Sequence, residues 1–226
     1  MKRAEFGVVL LTFAIAAALF VLAPQGNTKA SHRFGETPAL SPAAPVPAHQ
    51  TNPDPVSAEE YAVYAALINA EGRAGGEDRL LVIREQPSPW VSSVDEGQGD
   101  FYDELKKSSP ALKAETVDDL RAKNKEASKF TRNFDISRPY VLISEEEVNG
   151  LFKQGISGWK SFHLKYPKSG GLSTFSRVGF DRDRTQALVY HGYSCGGLCG
   201  GGSYYLLTRK NGAWILKGNI GPSWVS

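Results

Sequence analysis

The stretch SYYLLTRKNGAWILKG, residues 203–218, decides how this chain folds. Two apolar, aromatic-rich runs flank Asn211-Gly212, and Asn-Gly is the strongest short hairpin signal, because both central residues of a type I′ turn need positive φ. Upstream, the β-rich runs 174–180 and 186–194 are separated by a polar turn at 181–184. The chain is therefore expected to end in a meandering antiparallel sheet of three or four strands.

Between the two middle strands lies YSCGGLCGGGSYY, residues 193–205, which holds both cysteines of the chain. A phosphate cradle is excluded by context, since its glycines should lead into a helix and here Gly200-Gly201-Gly202 leads into a strand. His191, Cys195 and Cys199 form an H-x3-C-x3-C pattern. In an extended strand, however, four residues at about 3.3 Å each put His191 roughly 13 Å from Cys195, too far to share one zinc ion, and a fourth ligand is missing. A thioredoxin-like pair calls for C-x-x-C at the start of a helix, whereas this is C-x3-C between strands. A disulfide between Cys195 and Cys199 asks least of the chain and suits an oxidising compartment. The glycines permit close approach of another surface, so Gly200 and Gly201, with Tyr193, Tyr204 and Trp90, are candidate binding residues.

The folded part is expected to start at Ser57, where Ser57-Ala58-Glu59-Glu60 has the form of a capping box. Tyr61, Tyr64, Ala65 and Ile68 then fall on one face of a helix ending near Gly72. Leu80-Leu81-Val82-Ile83 reads as a buried strand and residues 86–100 as a long loop. Residues 101–133 have a polar helical pattern with a helix start at Thr116. A second strand is expected at 140–143, and a second capping box at Ser144-Glu145-Glu146-Glu147 opens a short helix carrying Val148, Leu151 and Phe152. The triple glutamate reads as a charge-complemented helix start, not as paired carboxylates for acid/base work. Trp159, Phe162, His163 and Tyr166 suit one face of a helix stopped by Pro167, where His163 reads first as a structural histidine.

Towards the amino terminus, residues 6–23 form an uncharged apolar run preceded by Lys2 and Arg3. It is long for a signal peptide and just long enough to span a bilayer, so residues 1–23 are either a signal peptide or a signal-anchor. Pro24 makes cleavage after Ala23 unattractive, and Ala30 is the better site; an uncleaved anchor is favoured. No cysteine near the run offers a lipid attachment point. The thin excess of positive charge before the run places the rest of the chain outside the cytoplasmic membrane. Residues 24–56, rich in Pro and Ala and containing His32 and His49, form an expected disordered linker. Residues 57–226 are the single globular domain.

Composition agrees with a globular chain: 41% hydrophobic and 22% charged residues. The 26 Lys and Arg against 24 Asp and Glu, evenly interleaved, leave no basic footprint for nucleic acid. No motif calls for a cofactor.

The block SRVGFDRDRTQALVYHGYSCGGLCGGGSYYLLTRKNGAW, residues 176–214, resembles the C-terminal block of a group of exported bacterial proteins with no activity attached to it. In architecture, helices followed by a curved antiparallel meander are similar to NTF2-like and cystatin-like folds. The resemblance implies export and an α+β domain, and it brings no catalytic residue. The reading that follows is an extracytoplasmic binding or structural module, membrane-tethered or secreted, with an unknown protein, cell-envelope or small-molecule partner. Two alternatives stand beside it: a thiol-dependent oxidoreductase or hydrolase using Cys195 or Cys199 with His191 or His163, and a small-ligand carrier with an aromatic pocket.

Overall fold

The computed structural model describes residues 55–75, 79–89 and 100–226, all within one compact unit, His49–Ser226. The apolar run 6–23, most of the Pro-rich linker and Trp90 lie outside the described residues. Among the described residues, no helix is long and apolar enough to cross a membrane.

In chain order the elements are α1 (Ala58–Gly75), β1 (Leu80–Arg84), α2 (Phe101–Lys107), α3 (Ala114–Lys123), β2 (Tyr140–Ile143), α4 (Glu145–Phe152) and α5 (Gly158–Lys165). Then follow β3 (Ser169–Phe175), β4 (Gly179–Phe180), β5 (Gln186–Gly196), β6 (Cys199–Lys210) and β7 (Ala213–Val225). The strands form one sheet in the order β2-β1-β3-β5-β6-β7, with β4 paired to β5 beside β3. The C-terminal meander β5-β6-β7 is antiparallel as expected, and Asn211 and Gly212 both have positive φ, 51° and 82°, at its last turn. The sheet as a whole is mixed, because β1 runs parallel to both β2 and β3. Parallel neighbours require long crossovers, and the helices between the strands supply them: α2 and α3 connect β1 to β2, α4 and α5 connect β2 to β3.

Helices cover both faces. On one, Tyr61, Tyr64, Leu67 and Ile68 of α1 pack on Ile83, Phe175, Val189 and Leu207, joined by Phe130 and Phe134 from the chain before β2. On the other, Leu105 of α2 and Val117 and Leu120 of α3 meet Leu188, Tyr190, Tyr204 and Leu206. Further along that face, Phe162 of α5 and Val148 of α4 meet Val82 and Leu172. Because side chains alternate along a strand, adjacent residues of β5 serve different clusters, Val189 facing α1 and Leu188 and Tyr190 facing α2 and α3.

Both capping boxes form at least in part. The Ser57 N–H donates to Glu60 Oε2 at 2.9 Å while the Glu60 N–H donates to Ser57 Oγ at 3.3 Å. At α4 the Glu147 N–H reaches Ser144 Oγ at 3.2 Å, but the Glu147 side chain turns instead to Tyr166 Oη and Lys165 Nζ. The run expected as one strand over 174–180 is interrupted at Ser176-Arg177-Val178 between β3 and β4. The interruption has a cause: Arg177 is buried, 1% exposed, and donates from Nε to Glu60 Oε1 at 2.7 Å and from Nη2 to Glu60 Oε2 at 3.0 Å. The adjacent Val178 N–H donates to Glu60 Oε1 at 3.2 Å. A strand continuing straight would turn that N–H back into the ladder. Burial pushes the Glu60 carboxyl up, but Arg177 and the N–H groups of Ser57 and Val178 outweigh it and hold the group below its ordinary value.

Candidate functional site

The cysteine hairpin is tighter than the sequence suggests. Instead of a loop over 195–202, β5 continues to Gly196 and β6 starts at Cys199, leaving Gly197-Leu198 as the turn. Cys195 and Cys199 are disulfide-bonded across it, with Cα atoms 5.1 Å apart. There are no free cysteines.

The glycine run belongs to β6 and is buried. A Cβ on Gly202 would sit 2.2 Å from Tyr190 Oη and 2.6 Å from Trp224 Nε1, and one on Gly200 would sit 3.2 Å from the Trp224 ring. Gly192, paired across the strands with Gly202, would likewise meet Tyr190 Oη at 2.3 Å. The glycines thus make a flat seat for two aromatic side chains, which are tied together by the Trp224 indole N–H donating to Tyr190 Oη at 2.8 Å. Gly201 faces the other way, towards the Tyr193 ring. Tyr204 is fully buried against Phe101 and Tyr190 on the α2 and α3 side, so it offers no surface to a ligand. Of the aromatic residues singled out around the hairpin, Tyr193 is the exposed one among the described residues, at 48%.

The two histidines part company. His163 is exposed, stacks on Trp159 and places Nε2 3.0 Å from the Cys195 carbonyl oxygen, so it supports the hairpin through the backbone. His191 lies on the α1 face of β5, its ring stacked on Phe175 with centroids 4.4 Å apart and planes within 9°. Its Nδ1 is 2.8 Å from Glu71 Oε2 at the end of α1, and its Nε2 is 3.4 Å from Ser173 Oγ on β3. Sheet register explains the meeting. Phe175 pairs with His191 and Ser173 with Tyr193, so residues two apart on adjacent strands share one face. Glu71 falls eleven residues after Glu60 on α1, about three turns on, and therefore on the same helix face. Burial pushes the Glu71 carboxyl up, but His191 and the Tyr205 hydroxyl outweigh it and hold it below its ordinary value. Burial, with the Glu71 charge, pushes the Tyr205 hydroxyl well above its own.

Glu71, Ser173, Phe175, His191 and Tyr193 wall a cleft of about 460 Å³ between the end of α1 and the starts of β1 and β3. Arg79 and Arg138 line it too. The Arg138 guanidinium donates from Nη2 to the Arg79 carbonyl at 2.8 Å and from Nε at 3.1 Å. Burial and the neighbouring Arg79 charge lower its pKa. Among the described residues, no carboxylate is in ion-pair contact with either guanidinium. Gly171, at φ 133°, closes the cleft towards the hairpin: a Cβ there would lie 2.3 Å from the Ser194 carbonyl and 3.0 Å from Cys195 Cβ. The hairpin and the cleft are therefore one region, linked by Gly171 and Tyr193.

Among the described residues, no three His, Cys, Asp or Glu side chains are grouped to hold a metal ion. Ser173, Glu71, Arg79 and Arg138 escaped the sequence reading. Ser173 lies just before the run 174–180 read as a strand, and only the pairing of β3 with β5 could have pointed from His191 to it. Comparison with family models, curated proteins and solved structures finds no match.

Proposed function

We propose that this protein is an extracytoplasmic binding module, held at the membrane by residues 6–23, whose ligand is a small anion seated in the cleft between α1 and the starts of β1 and β3. The observation that carries the reading is the Arg138 guanidinium, held on the Arg79 main-chain carbonyl and near enough to feel the Arg79 charge, with no carboxylate in ion-pair contact with either arginine among the described residues. Two like charges lining one cleft raise the free energy of the empty cleft, and an anion there relieves the repulsion. Glu71 lines the same cleft, but its charge is engaged by His191 and the Tyr205 hydroxyl. A planar carboxylate or a phosphate suits the guanidinium fork. The Phe175 and His191 stack and Tyr193 supply an apolar and aromatic wall for the rest of the ligand. With Cys195 and Cys199 bonded to each other, neither sulfur is a free nucleophile, and the thiol-dependent alternative draws no support.

Glutarate and inorganic phosphate, titrated into the full chain in mild detergent, are the test. Binding seen by calorimetry, and weakened at least tenfold in Arg138→Gln, is the expected result. Binding unchanged in both Arg138→Gln and Arg79→Gln, or none in the wild type, removes the reading.

A further inference from the structure

Ser173, His191 and Glu71 stand in the relation of nucleophile, base and orienting carboxylate. Glu71 takes the Nδ1 side of the imidazole at 2.8 Å, which fixes the tautomer with its proton on Nδ1 and its lone pair on Nε2. That lone pair faces Ser173 Oγ at 3.4 Å, a separation common where a catalytic hydrogen bond tightens only once substrate is bound. The imidazole plane is fixed by the Phe175 stack. The serine lies on a sheet, the base on the neighbouring strand and the carboxylate on a covering helix, so all three stand on rigid elements. All three line the cleft that holds Arg79 and Arg138.

We propose that this constellation hydrolyses carboxylic esters that carry a second, anionic group. The inference rests on the anion-binding reading of the cleft, which supplies the substrate's anchor. Ser173 Oγ attacks the acyl carbon and its proton passes to His191 Nε2. The imidazolium returns that proton to the departing alcohol oxygen as the ester C–O bond breaks, leaving an acyl-serine. Water then attacks the acyl carbon and gives a proton to His191 Nε2, which delivers it to Ser173 Oγ as the acyl–serine bond breaks. The products are one alcohol and one carboxylic acid, and the enzyme is restored. Glu71 stays ionised throughout and acts as a positioning residue. Arg79 and Arg138 hold the substrate's anionic end in the same cleft.

The probe is the mono-4-nitrophenyl ester of glutaric acid, with a fluorophosphonate as covalent label, on the full chain in mild detergent. Nitrophenolate release, a single adduct mapped to Ser173 and loss of both in Ser173→Ala are expected. Glu71→Gln should lower kcat by about 10²- to 10⁴-fold with KM unchanged, and Glu71→Asp should recover part of it. Ser173→Ala removes one hydroxyl and its folding is checked by circular dichroism and by glutarate binding. Glutarate binding in that variant, with no adduct and no release above it in the wild type, overturns the hydrolase and leaves the binding reading standing. Release that depends on Ser173 while glutarate fails to bind, and KM is indifferent to Arg138→Gln, overturns the anionic substrate class instead.

Discussion

Replacing Glu60 by Gln tests the lock at the start of α1. The two carboxylate oxygens together take five donors: Arg177 Nε and the Val178 N–H on Oε1; Arg177 Nη2, the Ser57 N–H and Ser57 Oγ on Oε2. Whichever oxygen becomes an amide nitrogen then faces at least two donors, and the guanidinium of Arg177 loses its buried counter-charge. Breaking a buried ion pair from one side costs about 3–5 kcal/mol. At about 2–4 °C per kcal/mol for a domain of this size, Tm should fall by roughly 6–20 °C. The neighbouring Glu59, whose partners Arg184 and Arg209 are exposed, is the control, and Glu59→Gln should cost no more than about 1 kcal/mol. The acid response gives a second reading. A carboxyl held below its ordinary 4.5 in the folded state contributes stability that is present above that value and disappears as pH falls through the folded value. The gap between wild type and Glu60→Gln should therefore be full at pH 7 and close as pH falls below about 4.5. Thermal unfolding followed by circular dichroism from pH 7 to pH 3 measures both. A Tm loss under about 3 °C, or a gap that widens in acid, would refute the assignment of Glu60 and Arg177 as an ionised, mutually dependent pair.

Gly202→Ala should cost about 1–3 kcal/mol by forcing Tyr190 and Trp224 off their seat, visible in urea unfolding and as a changed near-UV tryptophan signal. Gly150, inside α4 with open space around its Cα, should behave oppositely: Gly150→Ala is expected to raise stability by roughly 0.5–1 kcal/mol. Removing the disulfide with Cys195→Ser and Cys199→Ser closes no ring in the unfolded chain, and the loss should be about 2 kcal/mol on the loop-entropy argument, read as a shift in urea midpoint. Asp181 is buried; burial pushes its carboxyl up, but Lys113, Thr185 and the Gln186 N–H outweigh it and lower it to about 2. Its contribution is thus complete above about pH 4 and lost between about 4 and 2, so Asp181→Asn should remove that part of the acid transition while lowering stability at pH 7.

Much of the fold is written in local pattern. The Ser57 and Ser144 caps, the Tyr61, Tyr64, Ala65 and Ile68 stripe, the strand at 140–143 and the Asn211-Gly212 turn all depend on residues within one or two turns of each other. The parallel placement of β1 depends on chain far away, although two helical crossovers between strand-like runs are what a parallel pair requires. The break after Phe175 was hidden for a similar reason. Nothing near Arg177 announces that it will be buried, because its counter-charge sits more than a hundred residues earlier, at Glu60. The candidate site is the least legible part. His191 stood out in the sequence through its place before the cysteines, but its true neighbours are Ser173, across a strand pair, and Glu71, on a helix at the other end of the domain's sequence. The glycine run was legible as an allowance for close approach; that the approaching groups are Tyr190 and Trp224 of the same chain depends on β7 folding back alongside β6.

The helix α1 has a mechanical consequence. It is the first described element of the domain, and it is pinned at one end by Glu60 to the β3–β4 junction and at the other by Glu71 to β5. Any tension applied to the chain ahead of Ser57 meets the Glu60 anchor before it reaches Glu71. The buried pair thus acts as a strain relief, like the clamp on a cable, keeping a pull on the chain before Ser57 from being felt at the imidazole three turns further along.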